Sequence, residues 1–260
     1  MILTHLKKYI SSVFCKKDQK IAVYTAIFGG YDTPPDVPDV DSSIHYLLFT
    51  DQPVAEPKSP WEVRVVPRIF KDPQLEARRL KLLPHLFLPE YDFSVWIDGN
   101  VELQHLTASD VKQYLQNAII ALPYHPDRTC IYEEAKEILA LKYDSASRVN
   151  RQTEYYQQQG FPQFFGLHTT MVLLRRHNSL ICRTFDDAWW SMVYSYSKRD
   201  QMSFDFLRWK FNPPIVTLQL DCRNNEVFIW GRNKITGRGH FLKHNKIHSE
   251  EVHELFTENL

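Results

Sequence analysis

The chain has 260 residues, enough for one large domain or two small ones with a sizeable buried core. Its 31 Lys and Arg balance 31 Asp and Glu, which argues against a nucleic-acid partner, because such binding needs a basic excess to neutralise phosphates. No apolar run reaches the roughly 18 residues of a membrane span, and Cys15, Cys130, Cys182 and Cys222 lack the spacing of a zinc site or a disulfide framework.

In chain order, Ile2, Leu6, Ile10, Val13 and Phe14 recur at roughly helical spacing among lysines. Residues 1–19 therefore read as a helix or tail, with a peripheral membrane-surface helix as the sharper alternative. No small-residue cleavage site follows, so a secretory signal is not expected. Lys20–Phe28 is a β-branched and aromatic run of strand length that enters Gly29-Gly30-Tyr31-Asp32. A Pro- and Asp-rich loop leads to strands at Ile44–Thr50, ending in Asp51, and at Trp61–Val66. Asp72 is a good N-cap and Pro73 a good first residue for a helix to Leu83, where Pro84 ends or kinks it. The strand YDFSVWI runs into Asp98-Gly99-Asn100. A helix over Ala108–Gln116, a strand over Ala118–Pro123 and a mostly helical, tyrosine-rich stretch from Tyr132 to Tyr156 follow. Then come a strand at Thr170–Arg175, a helix at Ser179–Tyr196, the segment SKRDQMSFDFLRWKF, and an irregular tail with short strands and a basic, His-rich stretch.

Strands and helices alternate, so an α/β fold with a mainly parallel sheet is expected. Ligands of such sheets sit beyond the carboxyl ends of the strands. Three predicted strands end in polar or glycine chemistry, at Phe28-Gly29-Gly30, Thr50-Asp51 and Ile97-Asp98-Gly99-Asn100, and these ends would form one lip of a cleft.

If strand geometry persists, Asp98 and Asn100 point the same way and could hold a hard divalent cation; a plain Asp-Gly turn is the alternative. Arg78 and Lys81 share a helix face that His85 would continue past a kink, giving a cationic stripe for a diphosphate or simply a solvated face. Asp51 could accept from a base or ribose, and Gly29-Gly30 could turn backbone N–H groups toward a nucleotide. Asp200, between Arg199 and Gln201, reads as a base or hydroxyl ligand on an acceptor side, or as a helix N-cap. His125 and Arg128 in YHPDR either line the cleft or shape a turn. His240, His244 and His248 are spaced by four, with His240 a weak metal-ligand candidate.

The run ARRLKLLPHLFLPEYDFSVWIDGN, with YTAIFGGYD before it and RDQMSF after it, resembles the glycosyltransferase-like family of plant and bacterial proteins once filed as a domain of unknown function. The resemblance covers roughly Ile21 to Phe211, and its members are similar to GT-A nucleotide-sugar transferases. It implies a GT-A fold, a Rossmann-like donor half merged with a smaller acceptor part. On this reading residues 20–260 form one domain, with the donor half near 20–123 and the acceptor half near 124–260. Thr25, Phe28, Gly29, Gly30 and Asp51 would hold the nucleotide. Asp98-Gly99-Asn100 would be the D-x-D motif that binds Mn²⁺ or Mg²⁺ beneath the diphosphate, with Asn100 in place of the second acid. Arg78 and Lys81 would assist the leaving group, and Asp200, Gln201, His85, His125 and Arg128 would face the acceptor or cleft.

The expected activity is sugar transfer from a nucleotide sugar to a hydroxyl of a glycan or lipid-linked acceptor, as in surface polysaccharide or glycan synthesis. The expected compartment is the cytoplasm, with contact at most peripheral to the inner membrane face. A nucleotide-sugar-binding protein without chemistry and a metal-dependent phosphodiesterase are the competing readings; the latter would want more acids or histidines at the strand ends.

Overall fold

The computed structural model describes residues 19–30, 32–54 and 56–230. A seven-stranded sheet carries the fold, in the order β3-β2-β1-β4-β7-β6-β8. The strands are β1 (Ile21–Ile27), β2 (Ile44–Thr50), β3 (Glu62–Val65), β4 (Phe93–Ile97), β6 (Ile120–Pro123), β7 (Val172–Arg175) and β8 (Ile215–Leu218). Every neighbouring pair is parallel except those made by β7, which runs antiparallel to β4 and to β6. A separate ribbon pairs β5 (Val101–Leu103) with β9 (Phe228–Trp230). This is an α/β, mostly parallel architecture, as expected from the alternation of elements, and it is GT-A-like, as the family resemblance implies.

Helices cover both faces, which is why β1 is buried along its whole length. Its residues still alternate. Ala22, Tyr24 and Ala26 enter one core with Trp96, Leu80, Ile138 and Trp189, while Ile21, Val23 and Ile27 enter the other with Val101, Val111 and Phe228. On the first face lie α1 (Pro73–Leu82), the short α2 (Pro84–Phe87), α4 (Ile131–Ala140), α5 (Ala146–Gln158), α6 (Leu180–Ser195) and α7 (Gln201–Phe211). On the second lie α3 (Ala108–Leu115) and the β5–β9 ribbon.

Local signals explain most boundaries. Asp72 caps α1 by accepting the Gln74 N–H at 2.9 Å, and Thr107 and Asp110 form a reciprocal capping box on α3. The tyrosine-rich helical stretch divides into α4 and α5, because Lys142 takes a left-handed φ of 55° and Ser145 then caps a new helix. Pro84 ends α1 and opens α2 after Leu83 leaves helical geometry. No helix among the described residues is long and apolar enough to cross a membrane. The sequence expectations for residues 1–18 and for His240, His244 and His248 fall outside the described residues.

Candidate functional site

Four charged side chains meet at the carboxyl edge of the sheet. Asp98 follows β4, Arg78 and Lys81 come from α1, and Asp200 immediately precedes α7. Lys81 Nζ stands 3.1 Å from Asp98 Oδ1 and 2.6 Å from Asp200 Oδ2. Arg78 Nε stands 2.8 Å from Asp200 Oδ1, and Arg78 Nη1 lies 3.7 Å from Asp98 Oδ1. Two anions and two cations thus close a ring of zero formal charge.

The ring lies at the boundary between core and solvent. Lys81 and Asp200 are 0% and 3% exposed, while Arg78, Asp98, Gly99 and Asn100 are partly open. The methylenes of Lys81 cross the core, and its ammonium sits 5.6 Å from the centre of the Trp96 ring. Trp96 also donates its indole N–H to Asp98 Oδ1 at 2.7 Å. Trp96 is the last but one residue of β4 and Asp98 the first beyond it, so the turn carries the carboxylate back over the indole. The signal for Trp96 was present in VWIDGN, two positions before the acid.

Asp200 is the residue preceding α7, yet its side chain makes no capping bond. Its carboxylate turns to Lys81 and Arg78, with Thr170 as a further partner. Its segment is held firmly: Asp144 Oδ2 accepts from Ser197 Oγ at 2.7 Å and from the Lys198 N–H at 2.8 Å, and the Asp200 carbonyl accepts from Trp189 Nε1 at 2.9 Å. Lys198 also reaches Asp72 Oδ2 at 2.8 Å, which ties this segment to the start of α1.

Burial opposes the charge on Asp200, but Arg78 and Lys81 overcome it and hold the carboxyl well below the usual carboxylate range. Its carboxylate is thus held as a buried anion between Arg78 and Lys81. The same shift sets a pH dependence. With the folded value below the unfolded one of about 3.9, ionised Asp200 contributes stability that is complete above that value and lost as pH falls through the folded value. The stability deficit of Asp200→Asn in urea unfolding is therefore expected to persist from neutral pH to about pH 4 and to shrink only below it. A deficit already gone by about pH 5.5 would contradict the ion-paired assignment.

Asp98-Gly99-Asn100 does form a turn, as the Val101 N–H donates to the Asp98 carbonyl at 2.9 Å. Strand geometry stops at Ile97, so Asp98 and Asn100 are turn residues and not strand neighbours. What the turn brings together is Asp98 and Asp32. A Cβ on Gly99 would stand 3.2 Å from Asp32 Oδ2, closer than most real contacts. Burial raises the Asp32 carboxyl above its usual value, the Thr33 N–H opposes this, and the charge of Asp98 adds to it. Gly99→Ala is expected to push Asp32 aside, with a fall in Tm of no more than about 4 °C read by calorimetry.

Next to this turn lie the ends of β1 and β2. The Gly29 N–H donates to Asp51 Oδ1 at 2.9 Å, and Arg68 Nε pairs with Asp51 Oδ2 at 2.7 Å. Gly29 and Gly30 both have φ of 62°, the left-handed region that glycine enters without strain. Asp51 thus braces the glycine turn, and the Gly29 N–H is turned inward to that carboxylate. Arg68, which lay in no recognised sequence pattern, is its counter-ion.

Other expectations fall elsewhere. Thr25 is fully buried inside β1, and Phe28 is 1% exposed in the core, so both build the fold and not the lip. His85 does not continue the Arg78–Lys81 face, because α1 ends at Leu82; its Nε2 lies 3.3 Å from Asp187 of α6. His125 Nδ1 accepts the backbone N–H groups of Asp127 and Arg128 at 3.1 and 3.0 Å, and Arg128 pairs with Glu134 at 2.7 Å. These two residues close the turn after β6, and burial pushes His125 down to about 4, so it is neutral. Gln201 opens α7 beside Asp200 and its buried amide nitrogen has no hydrogen-bond partner among the described residues. Among those residues no three His, Cys, Asp or Glu side chains converge as metal ligands.

A glycine turn, two acids, a buried lysine and a partly open arginine thus stand at the carboxyl ends of a GT-A-like sheet. The chain belongs to the TOD1/MUCI70 glycosyltransferase-like domain family, whose model matches residues 10–232. Two Arabidopsis thaliana proteins are similar to it. One, named "Probable hexosyltransferase MUCI70", is 26% identical over 245 residues, covering 82% of this chain and 42% of that protein. The other, named "Alkaline ceramidase TOD1", is 22% identical over 189 residues, covering 66% of this chain and 40% of that protein. The chain therefore spans about two fifths of the length of these relatives.

Proposed function

We propose that the protein is a glycosyltransferase that moves a hexosyl or related sugar from a nucleotide sugar to a hydroxyl of a glycan or lipid-linked acceptor. The observation that carries this reading is the ring of Asp98, Lys81, Asp200 and Arg78 at the carboxyl edge of a sheet from a glycosyltransferase-like family.

Glycosyl transfer leaves negative charge on the departing diphosphate, and charge stabilisation there lowers the barrier most. Arg78 and Lys81 are poorly suited to do this alone, because Asp98 and Asp200 already balance them. The chemistry of the donor set fits a hard divalent cation: Asp98 and Asp32 offer carboxylates and Asn100 an amide oxygen, and Gly99 leaves room between the acids. Three donors crowd Oδ1 of Asp98, so Oδ2 is the oxygen to offer a cation. Mn²⁺ or Mg²⁺ bound here would supply positive charge to the diphosphate. Asp98 would hold the cation, Lys81 and Trp96 would fix the rotamer of Asp98, and Arg78, the more exposed of the two cations, would face the phosphates. Asp200 would serve as the fixed anion that keeps Arg78 and Lys81 in place.

The test is product release from a panel of UDP-, GDP- and CDP-sugars with Mn²⁺, run beside bis(p-nitrophenyl) phosphate and a short-chain ceramide. Release of a nucleoside diphosphate from one nucleotide class supports the proposal. Cleavage of the phosphodiester or the ceramide, with every nucleotide sugar intact, would replace it with a hydrolase. Binding without release in any acceptor mixture would leave a nucleotide-sugar-binding protein.

A further inference from the structure

Beneath the ring lies a second polar network that the proposed chemistry does not use. Arg175, on β7, is 0% exposed, a place where arginine is found only when paired. Its Nη2 donates to the Lys81 carbonyl and to the Tyr24 hydroxyl, both at 2.6 Å. Its Nη1 lies 3.4 Å from Asp186 Oδ1, and Asp186 is equally buried. Tyr24 in turn donates to the Lys81 carbonyl at 3.1 Å. The last carbonyls of a helix lack partners within it and normally turn to water or a cap. Here the final turn of α1 is buried, and Arg175 and Tyr24 from two central strands supply donors to the Lys81 carbonyl.

The consequence concerns Lys81. Its backbone is pinned from below by β1 and β7, while its ammonium is gripped from above by Asp98 and Asp200. Between the two ends, the side chain passes Trp96, which packs edge-on against Tyr24 with ring centres 5.1 Å apart. We propose that Arg175 is a positioning residue for the cleft: acting through the Lys81 carbonyl and the Tyr24 hydroxyl, it sets the height at which the Lys81 ammonium stands between Asp98 and Asp200. The functional meaning of this inference rests on the transferase reading; the positioning itself does not.

Lysine labelling of the native protein with acetic anhydride, read residue by residue in a mass spectrometer, tests it. In the wild type, Lys81 is expected to be the most protected of the described lysines. Arg175→Met is expected to speed labelling of Lys81 by about tenfold or more relative to other lysines, and Tyr24→Phe by a smaller factor, because each removes buried donors that hold the backbone. Val149→Ala, which opens a cavity in the same core away from Lys81, controls for a general loss of stability. It is expected to leave the Lys81 ratio unchanged at a similar fall in Tm. Tyr24→Phe keeps the ring packing and guards against an unfolded Arg175 variant. Unchanged protection of Lys81 in both variants would overturn the inference. A wild type that turns over no nucleotide sugar would instead remove the transferase reading and leave the labelling result standing.

Discussion

Asp98→Asn is expected to lower nucleotide-sugar turnover by about 10²- to 10³-fold, the usual scale for losing one preorganised electrostatic element of an active site, with Tm close to the wild type. The amide keeps an oxygen for the Trp96 indole N–H, now 2.7 Å from Asp98 Oδ1, and loses only the charge. Asp98→Ala removes the acceptor as well and leaves a buried indole donor unpaired, which costs about 1–3 kcal/mol of stability. The comparison therefore separates charge from packing. If both variants keep wild-type turnover with Mn²⁺ present, Asp98 does not serve the diphosphate and Asp98-Gly99-Asn100 is a turn and nothing more.

Lys81→Met should produce the largest loss of stability. Lys81 is fully buried and holds two carboxylates, one of them 3% exposed. Removing one partner of a buried ion pair typically costs about 3–5 kcal/mol, and Arg78, which still faces Asp200 at 2.8 Å, holds the cost toward the lower end. For a chain of this size that corresponds to a fall in Tm on the order of 10 °C, read by calorimetry. Asp200 would then ionise less readily in the folded state, so the loss should be smaller at low pH than at neutral pH. Lys81→Met combined with Asp200→Leu should recover much of the stability, since well-packed apolar groups often match a buried pair. Recovery of stability without recovery of turnover is the expected pattern. A single variant with a Tm equal to the wild type would mean that the ring is not a buried, coupled unit.

The sheet was legible because its strands carry long β-branched and aromatic runs and its helices carry caps, as in Asp72-Pro73. The antiparallel direction of β7 was not, because a run as short as Val172–Arg175 says nothing about strand direction. The β5–β9 ribbon joins residues about 130 apart, and no local pattern announces such a pair. At the site, Asp98, Arg78, Lys81 and Asp200 were all singled out by residue type and by strand or helix position. Their closing into a neutral ring was not legible, because side-chain pairing between α1 and the start of α7 is a tertiary fact. Asp200 shows the difference well: sequence context offered a cap, a base or a hydroxyl ligand, and the fold makes no cap of it but pairs its carboxylate with Arg78 and Lys81. His125 shows the reverse, a chemically suggestive residue used to close a turn. Trp96 and Arg175 escaped notice because a tryptophan and an arginine in apolar strands read as core and edge residues until their polar atoms are placed.

The most direct test is a calorimetric titration of the wild-type protein with UDP, GDP and CDP, each with and without Mn²⁺. One nucleoside diphosphate is expected to bind, and Mn²⁺ to tighten it by about tenfold or more, since the ring itself offers a diphosphate no net charge. No binding of any nucleotide under either condition, or tight binding indifferent to the cation, would contradict the claim that Asp98 and its neighbours form a cation-assisted donor site.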